Sequence, residues 1–305
     1  MTSQTTFDLQ RELHPMREAV ESAMDTYTAA IAGCPTRLTD AIRYSALAPG
    51  KRLRPLLTLL ACDAVGADWQ IALPAACAVE FVHVYSLIHD DLPAMDNDDM
   101  RRGKPTCHVR FDEATAILAG DSLQMLAIET LCNGLPNDTA VACCRLLSRA
   151  AGRQALVGGQ ADDLSAEGRF GPLPQQQSDP LEFLKSIHRR KTSALIEVSL
   201  QLGGVAGGAS LDHLRCLENY GRAVGLAFQI VDDCLDVEST AEQMGKKTRK
   251  DSELGKMTYP SLLGLEASRK MAKDLICEAC EAIAVLKNGG RRLATLAQFV
   301  VERRN

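Results

Sequence analysis

Apolar residues recur every three or four positions along most of the chain, the mark of helices with one buried stripe. Near the N-terminus, LQRELHPMREAVESAMDTYTAAI reads as an amphipathic helix with Pro15 marking a boundary. In the C-terminal third, Met271, Leu275, Ala279 and Ile283 recur with charges between them and predict another helix face. The segment IALPAACAVEFVHVYSLIHDD predicts a largely buried helix ending near Asp91, because Pro93 disfavours α geometry at Leu92. Strand-like alternation and Asn-Gly or Asp-Gly hairpins are absent. Breaks fall at AGCPT (32–36), LAPGKRLRP (47–55), NGLPND (133–138), EGRFGPLPQQQSDP (167–180), GGVAGGAS (203–210) and KNGG (287–290). None has the length or bias of an interdomain linker. The pattern predicts one large all-α domain over residues 1–305.

Composition narrows this further. The 305 residues are 46% hydrophobic and 4% aromatic, so the core is aliphatic and alanine-rich. A net charge of -5, from 34 basic and 39 acidic residues, gives no field that would draw nucleic acid or an anionic membrane. The polar start MTSQTTFDLQRELHP lacks the apolar core of a secretion signal. The stretch Leu53 to Leu73 is interrupted by Pro55, Asp63 and Asp68, which argues against a membrane span. Eleven cysteines lie scattered, with only Cys277 and Cys280 at a metal-like spacing. Reduced thiols in a cytoplasmic protein are expected.

Charge is concentrated in two places. In LIHDDLPAMDNDDMRRGKPTCH, five aspartates follow an apolar helix and two arginines follow them. Asp90 and Asp96 are six residues apart, about 240° around an ideal helix. They serve one ion only if the chain leaves the helix between them, and Pro93 supplies the break. In GLAFQIVDDCLDV, Gln229, Asp232, Asp233 and Asp236 fall on one helical stripe. Repelling carboxylates on a stripe are unfavourable without a cation, and oxygen-only donors favour a hard ion such as Mg²⁺.

Basic residues accompany both clusters. Arg101 and Arg102 follow the first, and GKRLRP supplies Lys51, Arg52 and Arg54. His83 lies seven residues before Asp90, on the same face and about 10 Å away. HRRKTS offers Lys191 and Thr192, and MGKKTRKDSELGKMTYPSLL offers Lys246, Lys247 and Lys256 around Asp251. Carboxylates beside arginine forks suit a phosphate-bearing ligand bridged through metal. The chain reads as built for two polyanions, one held through metal and one held directly.

Taken in order, GKRLRP (50–55), HDDLPAMDNDDMRRG (89–103), GQADD (159–163), KT (191–192), FQIVDDCLD (228–236) and GKMTYPSLL (255–263) resemble the trans-prenyl diphosphate synthases, most closely the bacterial farnesyl type. The resemblance runs from about Leu38 to the C-terminus. It implies a single bundle of long helices around a deep central cavity, usually as a homodimer, with the two acidic motifs facing each other across its mouth. It further implies that Asp90, Asp96 and Asp232 are the principal ligands of several Mg²⁺ ions, with Asp91, Asp233 and Asp236 close by. Arg101, Lys191 and Lys246 would hold the allylic diphosphate. Gly50, Lys51, Arg54, His83 and Arg102 would hold isopentenyl diphosphate, with Lys256 a further substrate-binding candidate. Thr192 and Gln229 would sit beside the developing carbocation, and no nucleophilic side chain is needed.

Product length would be set on the helix carrying the first motif. Tyr85 lies five residues before Asp90, about 7.5 Å deeper along the axis, with Ser86 beside it. A ring there reads as a floor, giving farnesyl diphosphate; geranylgeranyl diphosphate is the alternative product. A class I terpene cyclase is disfavoured by the second DDCLD and by GKRLRP. A non-catalytic synthase subunit is disfavoured because both acidic motifs are intact.

Overall fold

The computed structural model describes residues 2–170, 179–243, 257–286 and 288–302. Its backbone divides into two compact units, residues 1–145 with 202–208, and residues 146–201 with 209–305.

The first unit contains α1 (Thr2–Tyr27), α2 (Thr36–Ala46), α3 (Leu53–Ala64) and, after a 3₁₀ turn, α4 (Leu73–Asp90). A two-stranded ladder follows, β1 (Met100–Arg101) with β2 (Lys104–Pro105), then α5 (Cys107–Arg110), α6 (Glu113–Gly134) and the start of α7 (Asn137–Ala151). Helix α4 is the core element and packs against α1, α3 and α6. The stretch Trp69–Asp90 is long and apolar enough to cross a membrane, yet 72% of its most apolar window is buried within the fold. It is therefore a core helix that is hydrophobic nearly all round. Helix α6 runs closely along α4 because two glycines stand where they meet. A methyl on Gly120 would strike the His89 ring, and one on Gly134 would lie 2.5 Å from Pro74 Cγ.

Two expectations are corrected here. Helix α1 continues through Pro15 rather than stopping there. Proline removes one backbone donor, but Leu13, Met16, Val20 and Met24 are all buried and carry the apolar stripe past it. A hairpin also exists where none was expected. Met100 pairs with Pro105 and Arg101 with Lys104, around Arg102 and Gly103 at φ 52° and 74°. Positive φ at both turn residues is the hairpin geometry that Asn-Gly normally signals, and arginine disguises it.

The second unit takes the rest of α7, then α8 (Leu156–Ala166), α9 (Pro180–His188), one turn of π-helix over Arg189–Ser193, and α10 (Ala194–Ala206), whose end from Leu202 belongs to the first unit. Then come the long α11 (Leu211–Gln243), α12 (Tyr259–Leu263), α13 (Leu265–Ala282) and α14 (Asn288–Glu302). Helix α11 packs on α13, α14 and the π-turn. Its Tyr220 is fully buried and donates to Leu293 O of α14 at 2.7 Å. The buried face of α13 is Ser268, Ala272, Ile276 and Ala279, one residue round from the predicted Met271 and Leu275.

Candidate active site

Helix α4 ends where its sequence turns acidic. Past Asp91 the backbone closes a tight loop: Met95 and Asn97 N–H donate to Leu92 O at 2.8 and 3.1 Å, and Asp96 N–H to Asp90 O at 2.8 Å. This departure from helix returns Asp96 beside Asp90. Asp90 is half-buried and Asp96 is exposed. Asp91 is turned inward, its side chain 5% exposed. It accepts from Arg101 Nε at 2.8 and 3.0 Å and pairs with Nη2 at 2.7 Å. Burial still holds the Asp91 carboxyl above its usual range, against the pull of Arg101. The family resemblance grouped Asp91 with the ligand carboxylates and Arg101 with the diphosphate; in the structure each is engaged with the other.

A second arginine of the hairpin reaches elsewhere. Arg102 Nη1 donates to Pro49 O at 3.0 Å, and its guanidinium lies where a side chain on Gly50 would be, 2.6 Å from a methyl there. Glycine at that position lets the guanidinium cover the backbone. Arg54 stands near, its Nε buried without a hydrogen-bond acceptor. Burial lowers the Arg54 pKa, opposed by Glu80 and reinforced by Arg102. His83 is held well below 6.5 by burial and by Arg54, Arg102, Arg101 and Arg52. Arg102 is lowered too, by burial, opposed by Glu80 and reinforced by Arg52 and Arg101. Burial disfavours the charged form of each of these groups, and an incoming anion would stabilise it. Lys51 is exposed at the edge.

Arg52 does not join this cluster. It sits at φ 49° ahead of α3, its side chain 1% exposed, against Glu80 at 3.0 Å and Glu21 at 2.7 Å. It also donates to Ala48 O at 2.9 Å, which fixes the backbone that presents Lys51 and Arg54.

The second unit holds Lys191, Thr192, Gln229 and the second acidic set. Lys191 and Thr192 lie within the π-turn. Lys191 Nζ donates to Asp163 Oδ2 at 2.6 Å, and neighbouring Arg190 pairs with Asp162. Thr192 donates to Gln229 Oε1 at 3.1 Å, and Gln229 Nε2 donates to Asp233 Oδ1 at 3.0 Å. The other Asp233 oxygen accepts from Tyr259 N at 3.0 Å. Asp233 is 6% exposed, while Asp232 is half-buried and Asp236 exposed. The predicted acidic stripe is thus divided: Asp233 tethers α12 to α11, and Asp232 and Asp236 remain towards solvent. Sequence reasoning assigned no role to Asp162 or Asp163. Their signal was GQADD itself, two acids ahead of HRRKT by a spacing that only the fold makes meaningful. Lys246, Lys247, Asp251 and Lys256 lie outside the described residues.

Among the described residues no three His, Cys, Asp or Glu side chains gather into a cation cage. Mg²⁺ rarely needs one, because it takes one or two carboxylates and completes its shell with water and substrate phosphate. Asp90 with Asp96, and Asp232 with Asp236, are oxygen donors of that kind.

A model of the polyprenyl synthetase family matches residues 35–288. The chain is 44% identical to a geranylgeranyl diphosphate synthase of Cyanophora paradoxa, covering 99% of both proteins. It is 42% identical to the chloroplastic geranylgeranyl pyrophosphate synthase 7 of Arabidopsis thaliana, covering 98% of this chain and 85% of that one. Among solved structures, an FPP/GFPP synthase from Zymomonas mobilis superposes with a TM-score of 0.84 at 36% identity, covering 97% of this chain and 99% of that one.

Proposed function

Because this chain belongs to the polyprenyl synthetase family, we propose that it condenses isopentenyl diphosphate with allylic diphosphates, ending at geranylgeranyl diphosphate. The observation that carries the reading is the Arg54–Arg102–His83 cluster: Arg102 lies over the Gly50 backbone and Arg54 Nε is buried without an acceptor, which suits a diphosphate taken up without metal. Asp90, Asp96, Asp232 and Asp236 would hold Mg²⁺, which would neutralise the allylic diphosphate as its C–O bond breaks. Lys191 would grip the same leaving group. Thr192 and Gln229, already hydrogen-bonded to one another, offer oxygen dipoles to an allylic cation and no strong nucleophile. The family match from 35 to 288 includes residues of both units.

The names of the two relatives above support the geranylgeranyl product. Tyr85 supports the farnesyl product as a second reading. It is 5% exposed one turn below the acidic end of α4. Its ring, however, meets His89 edge-on at 5.8 Å, and the His89 ring nitrogen Nε2 lies 3.2 Å from Ile117 O of α6. Tyr85 thus packs on His89 of its own helix, and His89 reaches α6. A homodimer fits the exposed apolar Ile117, Leu118 and Met125 on α6, and a reducing cytoplasm fits eleven free thiols. Incubation with isopentenyl and dimethylallyl diphosphates, followed by chromatography of the products, tests the proposal. Geranylgeranyl diphosphate is expected, farnesyl diphosphate moves the product assignment to Tyr85, and no elongation removes the reaction.

A further inference from the structure

The π-turn that carries Lys191 and Thr192 is pressed from two sides by backbone that lacks side chains. On the α8 side, Gly159 is buried, and a methyl group there would stand 2.5 Å from Lys191 N and 2.9 Å from both Arg190 C and Lys191 Cα. On the α11 side, Gly225 is also buried. A methyl there would stand 2.7 Å from Ser193 Cβ and 2.9 Å from Ser193 Cα and Oγ. The Ser193 hydroxyl is itself buried without a hydrogen-bond partner, so that side chain is not held in place by any polar contact. The α11 backbone at Gly225 stands against it.

We propose that Gly159 and Gly225 are positioning residues for the condensation, a two-sided clamp that sets where the π-turn presents Lys191 and Thr192. The inference rests on the proposed function above. A π-turn accommodates one extra residue within a helix and is favourable only where surrounding structure holds it. Here α8 holds the turn at the Lys191 amide, and Asp163 of the same helix holds the Lys191 ammonium at 2.6 Å. Helix α11 holds it at Ser193, and Gln229, one turn beyond Gly225, accepts from Thr192. Each helix thus supplies a glycine for backbone approach and a polar partner for the residue it orients. Adding a methyl at Gly159 forces Lys191 to retreat by about 1 Å, a displacement that costs on the order of 100-fold in rate where geometry is catalytic.

The test uses the full-length chain with steady-state kinetics for both substrates and thermal melting. Gly159→Ala is expected to lower kcat about 100-fold and raise KM for the allylic diphosphate, with KM for isopentenyl diphosphate unchanged. Gly225→Ala is expected to lower kcat by about tenfold or more, and Ser193→Gly added to it to restore part of the loss, because it removes the methylene and hydroxyl that the new methyl meets while the contact at Ser193 Cα remains. A general loss of structure would instead lower the active fraction, reducing apparent kcat with both KM values unchanged, and would not be reversed by placing a second glycine in a helix. Turnover within twofold of wild type in both single variants, or a double variant no better than Gly225→Ala, overturns the clamp. If Gly225→Ala does not fold, recovery of folded protein by Ser193→Gly supports the proposal and failure to recover it overturns it. If the wild type performs no condensation, the proposed function falls, while coupling between positions 193 and 225 in melting temperature still reports separately on the contact.

Discussion

Replacing Glu80 with glutamine asks whether Arg52 belongs to the fold or to the anion site. The Arg52 and Glu80 side chains are 1% and 3% exposed, 3.0 Å apart, whereas Glu21, the other partner of Arg52, is 40% exposed. Removing one member of a buried ion pair costs about 3–5 kcal/mol because the remaining charge is left in low dielectric. Glutamine keeps an acceptor for Arg52 Nη1 and Glu21 still opposes the charge, so about 3 kcal/mol, the lower end, is expected. Glu21→Gln disturbs a partly solvated pair and should cost about 1 kcal/mol or less. Urea unfolding gives both values as midpoint shifts at constant slope. The double variant Arg52→Met/Glu80→Met should recover most of the loss, since matched apolar replacements commonly equal a buried pair. Equal costs for Glu80→Gln and Glu21→Gln would refute the reasoning. So would an Arg52→Met protein of wild-type stability whose only defect is a raised KM for isopentenyl diphosphate.

Other outcomes follow from the same geometry. Asp163→Asn removes the charged partner of Lys191 at 2.6 Å and should reduce kcat/KM for the allylic diphosphate by about tenfold or more, the worth of one charge-assisted hydrogen bond; an unchanged value would show that Lys191 needs no holder. Asp90→Ala or Asp232→Ala should cut turnover by orders of magnitude with helical circular dichroism retained, and near-normal rates would remove the metal assignment. His83 is held well below 6.5 in the fold, so between that lowered value and 6.5 the unfolded chain binds the extra proton. Stability is then complete above 6.5 and falls as pH drops below it, and His83→Asn should flatten that slope in urea titrations between neutral and mildly acidic pH. Tyr85→Ala should leave the geranylgeranyl product unchanged, while a lengthened product would show the ring to be the floor.

Much of the architecture was legible in the sequence. The helical periods, the acidic end of α4 and the placement of the second acidic set on α11 all follow from spacing and from Pro93. What was not legible depends on which side chains the fold buries. Arg52, Asp91 and Asp233 carry the same charges as their functional neighbours, and only tertiary packing turns them inward to Glu80, Arg101 and Tyr259. Composition cannot separate Asp232 from Asp233, because adjacent helical positions differ by about 100° and the buried direction is set by α12. The π-turn is hidden for a related reason: HRRKTS has no breaker, and the close approach of α8 and α11 to the turn arises only in the fold. The hairpin at Arg102–Gly103 was missed because arginine occupies a position where asparagine is the usual signal.

The most direct measurement is the product formed by the purified chain from isopentenyl and dimethylallyl diphosphates, with Mg²⁺ and with a chelator in its place. The account predicts geranylgeranyl diphosphate in the presence of Mg²⁺ and none with the chelator. Full-rate elongation in chelator would contradict the carboxylate–metal assignment, and recovery of both substrates unchanged in Mg²⁺ would contradict the central claim.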